Sequence, residues 1–201
     1  MANDSDAEEV VDGRTRRSMQ TREAIVDATI ALVEQGDLRP TAPRVAEAAG
    51  VSVRSIFQHF DDLETLHGAV AERLVQRVSM LLVPVSPDEP LEARLATFVH
   101  QRALLLEAVS PIRRAADVHG PFSAEIRARL RDGQAYLRAE VEKTFAPELD
   151  AAGDGRRLVL DALDGALSWR TWEGLRTGLE RDLEEAEAVL RHTARALLRD
   201  R

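Results

Sequence analysis

The side chains best suited to recognition chemistry lie in nine residues, Ser52 to Phe60: Arg54, Ser55, Gln58 and His59, set among the apolar Val53, Ile56, Phe57 and Phe60. In helical register, Ile56, Phe57 and Phe60 are expected to fix the segment to the chain before it. Val53, Arg54, Ser55, Gln58 and His59 are then left outside. A helix fits the major groove of DNA, and its N-terminal side chains reach base edges. An arginine at position 54 could bond O6 and N7 of a guanine together, a contact worth roughly 1–3 kcal/mol of discrimination. Ser55, Gln58 and His59 suit phosphate oxygens. Thr41, at the start of the preceding helix, stands where backbone N–H groups favour phosphate. The alternative is a buried corner between two helices that carries ordinary surface residues.

Catalytic and metal chemistry find little support. The five histidines, at 59, 67, 100, 119 and 192, form no tight cluster, and His59 and His67 are too far apart to share a metal without other ligands. Asp161 and Asp164 are three residues apart on a helix, the usual pattern of a solvated face. There is no HExxH, no GxSxG and no phosphate-cradling glycine loop. Cysteine is absent, which removes disulfides, thiolate metal sites and a cysteine nucleophile. The reading is a non-enzyme without cofactor or metal. The acidic start MANDSDAEEVVDG is not a secretory signal, and no apolar run approaches the ~18 residues of a membrane span. The expectation is a soluble cytoplasmic protein.

The net charge of −8 argues against a polyanion partner until its distribution is considered. Residues 14–60 carry seven arginines against five carboxylates, while the flanking segments are acidic. A basic N-terminal module on an acidic body fits contact with a polyanion at one end only. Chance asymmetry on a solvated surface is the alternative.

The elements that must position these residues read as helices throughout. Residues 1–17 lack periodicity and are expected to form a disordered arm ending in RTRR. From Thr21, Ile25, Ala28, Leu32 and Val33 recur at helical spacing, and Gly36 ends that helix. Thr41 is expected to cap APRVAEAA, and Gly50 to end it. Ser52 is expected to cap VRSIFQHF. A fourth helix carries Leu66, Val70, Leu74, Val78 and Leu81. After the proline-rich VPVSPDEP come LEARLATFVHQRALLLEAV, a break near SPIRRAADVHGPF, SAEIRARLRDGQAYLRAEVEKTF, and two final helices. No strand pattern or repeat occurs. The predicted fold is all-α: an arm (1–17), a helix-turn-helix domain (18–62) and a helical bundle for ligand binding and dimerisation (63–201).

The stretch TREAIVDATIALVEQGDLRPTAPRVAEAAGVSVRSIFQHFDDLETL resembles the N-terminal DNA-binding domain of TetR-type transcriptional regulators. The matching residues are Ile25, Gly36, Thr41, Val45, Ala46, Ala49, Gly50, Val51, Ser52, Ile56, Phe57, His59, Phe60, Glu64 and Leu66, about a quarter of the chain in one unbroken register. LSWRTWEGLRTGLERDLEEAEAVLRHTARALL is similar, less specifically, to the last two helices of many members. The resemblance implies a homodimer on a palindromic operator of double-stranded DNA, usually repressing, and released by a small molecule in the C-terminal domain. It places Arg17, Thr41, Arg44, Ser52, Val53, Arg54, Ser55, Phe57, Gln58 and His59 against DNA. Three positions depart from the family pattern. Phe57 stands where many members have Tyr, Leu63 where many have Lys, and Pro43 where a side chain often points at DNA. Asp61 and Asp62, just before Leu63, would be repelled by DNA. The basic Arg14, Arg16 and Arg17 could compensate by reaching the backbone or minor groove. An interaction scaffold that has lost specific DNA binding is the competing reading.

In the C-terminal half, Leu183, Ala186, Leu190, Ala194 and Leu197 fall on one stripe of the last helix, with Val189 and Thr193 beside it. Leu158, Ala162, Gly165, Ala166 and Trp169 fall on one stripe of the helix before. Two such helices from each of two chains make a four-helix interface; packing within one chain is the alternative. Candidates for a ligand pocket are Phe98, Leu105, Val109, Arg113, His119, Phe122, Tyr136, Trp169 and Trp172. Phe98 and Leu105 read equally as plain core, and Trp172 as part of the dimer interface. The expected ligand is an apolar or anionic organic molecule.

Overall fold

The computed structural model describes residues 5–79 and 82–199, without the side chains of residues 5–12, His119 and Phe122. Leu81 of the fourth-helix stripe and the first four residues of the arm lie outside the described residues, as do the pocket candidates' side chains at His119 and Phe122. The described residues are all-helical, without strands. The chain divides into two units, Met1–Val75 with Pro111–Ile126 and Gln76–Ser110 with Arg127–Arg201. The boundary expected at residue 62 therefore falls later, and one turn region of the C-terminal half belongs with the N-terminal unit.

In that first unit, helix α1 spans Ser5–Glu34, α2 Ala42–Ala49 and α3 Val53–His59, and α4 (Leu63–Ser79) begins there. The expected disordered arm is instead the first part of α1. Its Ala, Glu and Arg residues are good helix formers, and the carboxylates lead, where the helix dipole favours them. Two glycines close the first two helices in the same way. At Gly36 (φ 94°) Asp37 N–H bonds the Leu32 carbonyl and Gly36 N–H that of Val33. At Gly50 (φ 65°) Val51 N–H bonds Ala46 O and Gly50 N–H bonds Glu47 O. This pairing satisfies the end carbonyls and needs a left-handed residue, which glycine adopts without a Cβ penalty. Ile25, Val26, Ile30, Val45, Ala46, Ile56, Phe60, Leu66 and Val70 form one core.

The second unit holds most of α5 (Leu91–His119) and α6 (Ala124–Thr144), then α7 (Ala146–Ala151), α8 (Arg156–Ala166), α9 (Trp169–Glu173, continued by a π-turn to Gly178) and α10 (Leu183–Arg199). The break expected near SPIRRAADVHGPF is displaced. α5 continues through Pro111, and the chain leaves the helix only at the 3-10 turn Gly120–Phe122. Pro111 lacks the N–H that would reach Glu107, and the Ser110 hydroxyl bonds Leu106 O at 2.7 Å beside that gap. The helix expected from Arg156 onward is two: Ser168 interrupts it and caps α9, its hydroxyl accepting from Thr171 N–H at 3.3 Å. The core runs from Leu95, Val99 and Leu106 through Val141, Phe145 and Leu149 to Leu163, Trp172, Leu190 and Leu198. Phe98 meets Phe145 edge-on at 5.3 Å.

Candidate nucleic-acid interface

α3 is short, about 10 Å at 1.5 Å per residue, and its ends are both fixed. Ser52, extended at φ −80° and ψ 154°, accepts the Ser55 N–H at 3.1 Å. Phe60 N–H bonds Ile56 O at 2.9 Å as the chain turns extended again. Ile56 is fully buried and Phe60 is 2% exposed, and the Arg22 guanidinium lies 4.8 Å from the Phe60 ring centre. These two side chains anchor the helix.

Phe57 does not share that work. It is 50% exposed and belongs to the outward face with Val53, Arg54 and Gln58. Exposure, not spacing, makes the correction: positions 53, 56, 57 and 60 fall on one helical stripe, yet only Ile56 and Phe60 are covered. Ser55 and His59 are half-buried at the edge of the face. Arg54 is exposed, and no ion pair holds it among the described residues. An outward face of one arginine, one amide and two apolar groups suits base edges and thymine methyls better than a catalytic centre.

The neighbouring candidates are placed less uniformly. Thr41 has N-cap dihedrals, but its hydroxyl makes no cap hydrogen bond; it is exposed at the start of α2, where Pro43 occupies the first turn. Arg44 is exposed but held by Asp37, at 2.7 Å. Arg14, Arg16 and Arg17 stand exposed on α1. Asp62 has a structural task. Its carboxylate accepts the Thr65 N–H at 2.7 Å and the Thr65 hydroxyl at 2.9 Å, opening α4, and these bonds hold its pKa below the ordinary value. Glu64 accepts a short hydrogen bond from the Ser123 hydroxyl, and Ser123 in turn accepts the Ile126 N–H at 2.9 Å to open α6.

In the C-terminal unit, the pocket candidates separate. Phe98, Leu105 and Tyr136 line one cavity of about 280 Å³. Trp169 and Trp172 are core, and each indole N–H already has a partner: the buried Ser110 Oγ at 3.0 Å and the half-exposed Glu107 Oε2 at 3.0 Å. Val109 packs beside the same core. Arg113 lies in the N-terminal unit, where its Nε pairs with Asp117 at 3.3 Å. Gln101 and Arg102, which line the cavity, escaped the sequence reading. Their signal was present: position 102 falls three after Val99 and four before Leu106, so an arginine occupies a core register of an apolar helix.

The expected dimer stripe also divides. Ala186, Leu190 and Ala194 are buried inside the chain, with Leu183 and Leu197 packed against the same core. They are therefore spent on folding. The opposite side of α10 carries Val189, 41% exposed, with His192 and Ala196. On α8 the face expected at the interface is open: Leu158 is 75% exposed, Gly165 is exposed, and Ala162 and Ala166 are half-covered. Among the described residues no helix is long and apolar enough to cross a membrane.

A buried-anchor helix behind a glycine turn, with a polar outward face, defines a helix-turn-helix protein on an all-helical body. Residues 25–70 match the family model of bacterial regulatory proteins of the tetR family. The fold is similar to that of a Mesorhizobium loti protein assigned to the TetR-family transcriptional regulators, at 22% identity and a TM-score of 0.63, over 90% of this chain and 96% of that one. It is also similar to a transcriptional regulator from Rhodococcus sp. Rha1, at 18% identity and a TM-score of 0.70, over 88% and 95%. No curated protein sequence matches. The family match is confined to residues 25–70, and the likeness in fold extends over 88–90% of the chain.

Proposed function

We propose that this protein is a DNA-binding transcriptional regulator. It binds a palindromic double-stranded operator as a homodimer and represses until a small molecule in the C-terminal unit releases it. The observation that carries the reading is α3: fixed at both ends, anchored by Ile56 and Phe60, and presenting Val53, Arg54, Phe57 and Gln58 outward. Arg54 reads a guanine; Thr41, Ser52, Ser55 and His59 serve phosphates; Arg17 supplies charge from α1. Arg44 contributes less than expected because Asp37 holds it. The aspartates that favoured a scaffold lose much of their weight, since Asp62 is used to open α4.

The homodimer uses the outward faces of α8 and α10: Leu158, Ala162, Gly165 and Ala166 with Val189, His192 and Ala196. Small residues there permit close approach of two helix pairs. Two recognition helices then need a spacing of about 34–36 Å to enter successive major grooves. The test is a gel shift with the DNA flanking the protein's own gene. Specific binding that Arg54→Ala abolishes supports the regulator. Equal retention of specific and scrambled duplexes at low salt supports the scaffold.

A further inference from the structure

Two arginines are buried on α5, and they are treated differently. Arg94, 3% exposed, bonds both oxygens of Glu148 and the carbonyls of Glu89 and Thr144. Arg102, 5% exposed and two turns further on, bonds only backbone carbonyls: Leu137 O at 2.9 Å and Leu167 O at 3.4 Å. No carboxylate lies within ion-pair distance of it among the described residues. The nearby Asp164 is committed to Gln134 and Arg138. Burial lowers the Arg102 pKa to about 10, so the group is still a cation at neutral pH. A buried charge is ordinarily paired, and this one lines a cavity.

The residue beside it points the same way. Gln101 Oε1 accepts the Val83 N–H at 2.8 Å, which fixes the amide's orientation. Its Nε2 is then a buried donor with no hydrogen-bond partner. Two adjacent residues thus bring N–H donors, one of them cationic, to one cavity wall. Phe98 and Leu105 supply apolar wall, and the Arg102 guanidinium lies 5.0 Å from the Phe98 ring centre. Lys143 and Glu140 also line the cavity, and Glu140 and Asp164 act on Arg102 only through space, without contact. At about 280 Å³ the space is at the small end for ligand pockets, roughly 300–1,000 Å³.

We propose that this cavity binds a compact organic monocarboxylate, its carboxylate on Arg102 and the Gln101 amide and its apolar body against Phe98 and Leu105. This deepens the reading of the C-terminal unit as the effector site and rests on it. A guanidinium fork matches a carboxylate in two parallel bonds, and an amide N–H adds a third. A neutral ligand would leave the guanidinium without a carboxylate in contact.

The experiment is calorimetric and thermal-shift titration of the full chain, without DNA, using benzoate, hexanoate and phenylacetate against the corresponding neutral amides. Carboxylates are expected to raise the melting temperature and to bind at least about ten-fold more tightly than their amides. Arg102→Met is expected to weaken carboxylate binding about 10- to 100-fold, the range of a lost charge-assisted hydrogen bond. Gln101→Leu keeps the arginine and is expected to weaken it less. Circular dichroism confirms the fold of each variant. Equal binding of acid and amide, binding undiminished in both variants, or no shift with any carboxylate overturns the assignment. A preparation that binds operator specifically but shows no carboxylate preference overturns the anion assignment alone. Carboxylate binding by a chain that binds no operator supports the anion assignment and overturns the regulator reading.

Discussion

Replacing Arg102 with Met should barely destabilise the ligand-free protein, although the side chain is as buried as many core residues. Burial lowers the Arg102 pKa by between two and three units, to about 10. At 1.36 kcal/mol per unit, holding the charge in the fold costs about 3 kcal/mol at neutral pH. Against that stand two hydrogen bonds to backbone carbonyls and the contact with the Phe98 ring. Together they return about 2–3 kcal/mol. Arg102→Met loses both sides of this balance, so its net effect should lie within about 1 kcal/mol of zero. Arg94→Met makes the contrast. It removes the two bonds that Arg94 gives the Glu148 carboxylate and the two it gives backbone carbonyls, and should cost about 3–5 kcal/mol. The pH dependence follows from the lowered pKa. The charging penalty is fully present below about pH 10 and fades as pH rises from there toward the ordinary arginine range, so the parent should gain on Arg102→Met above pH 10. Urea denaturation followed by circular dichroism, at pH 7 and above pH 10, measures all three. A loss at Arg102→Met equal to that at Arg94→Met would refute the reasoning, because it would mean that Arg102 is already well compensated by the fold.

The remaining predictions concern the interface and the dimer. Phe57→Ala should change stability by less than about 0.5 kcal/mol yet weaken DNA binding, whereas Ile56→Ala should cost about 2–5 kcal/mol; paired denaturation and binding curves check both. Gly50→Ala should cost about 1–2 kcal/mol purely through its backbone conformation, since an added Cβ meets nothing within 4 Å while φ is +65°. A chemical denaturation midpoint reads it. Val189→Glu should yield monomers in sedimentation experiments without unfolding the chain, whereas Leu190→Glu, one residue on, should unfold it.

Much of the fold was legible because helical periodicity and glycine stops are local signals. Gly36 and Gly50 both end helices as expected, and Ser52 opens α3. The errors have physical causes. α1 begins well before Thr21, because good helix formers continue a helix without any apolar stripe to announce it. The break expected near SPIRRAADVHGPF comes only at the end of that stretch, because α5 carries Pro111 at the loss of one N–H bond and runs on to the Gly120–Phe122 turn. Phe57 shares the helical stripe of Ile56 and Phe60, and only the packing of the folded unit leaves it 50% exposed. The α10 stripe was apolar as read, but a sequence does not say whether its own chain or a second copy covers an apolar face. The cavity was the least legible part. Its walls come from Ser79, residues 82–85, α5 and α6, and Arg102 takes its meaning from having no carboxylate within ion-pair distance among the described residues.

The central claim is that the outward face of α3 reads DNA. Fluorescence anisotropy with an operator duplex and a scrambled one, for the parent and Arg54→Ala across a salt series, tests it most directly. The account predicts specific, salt-sensitive binding by the parent. Arg54→Ala should lose about 1–3 kcal/mol on the operator and little on the scrambled duplex. Identical affinities for the two duplexes in the parent, or an operator affinity that Arg54→Ala leaves unchanged, would contradict it.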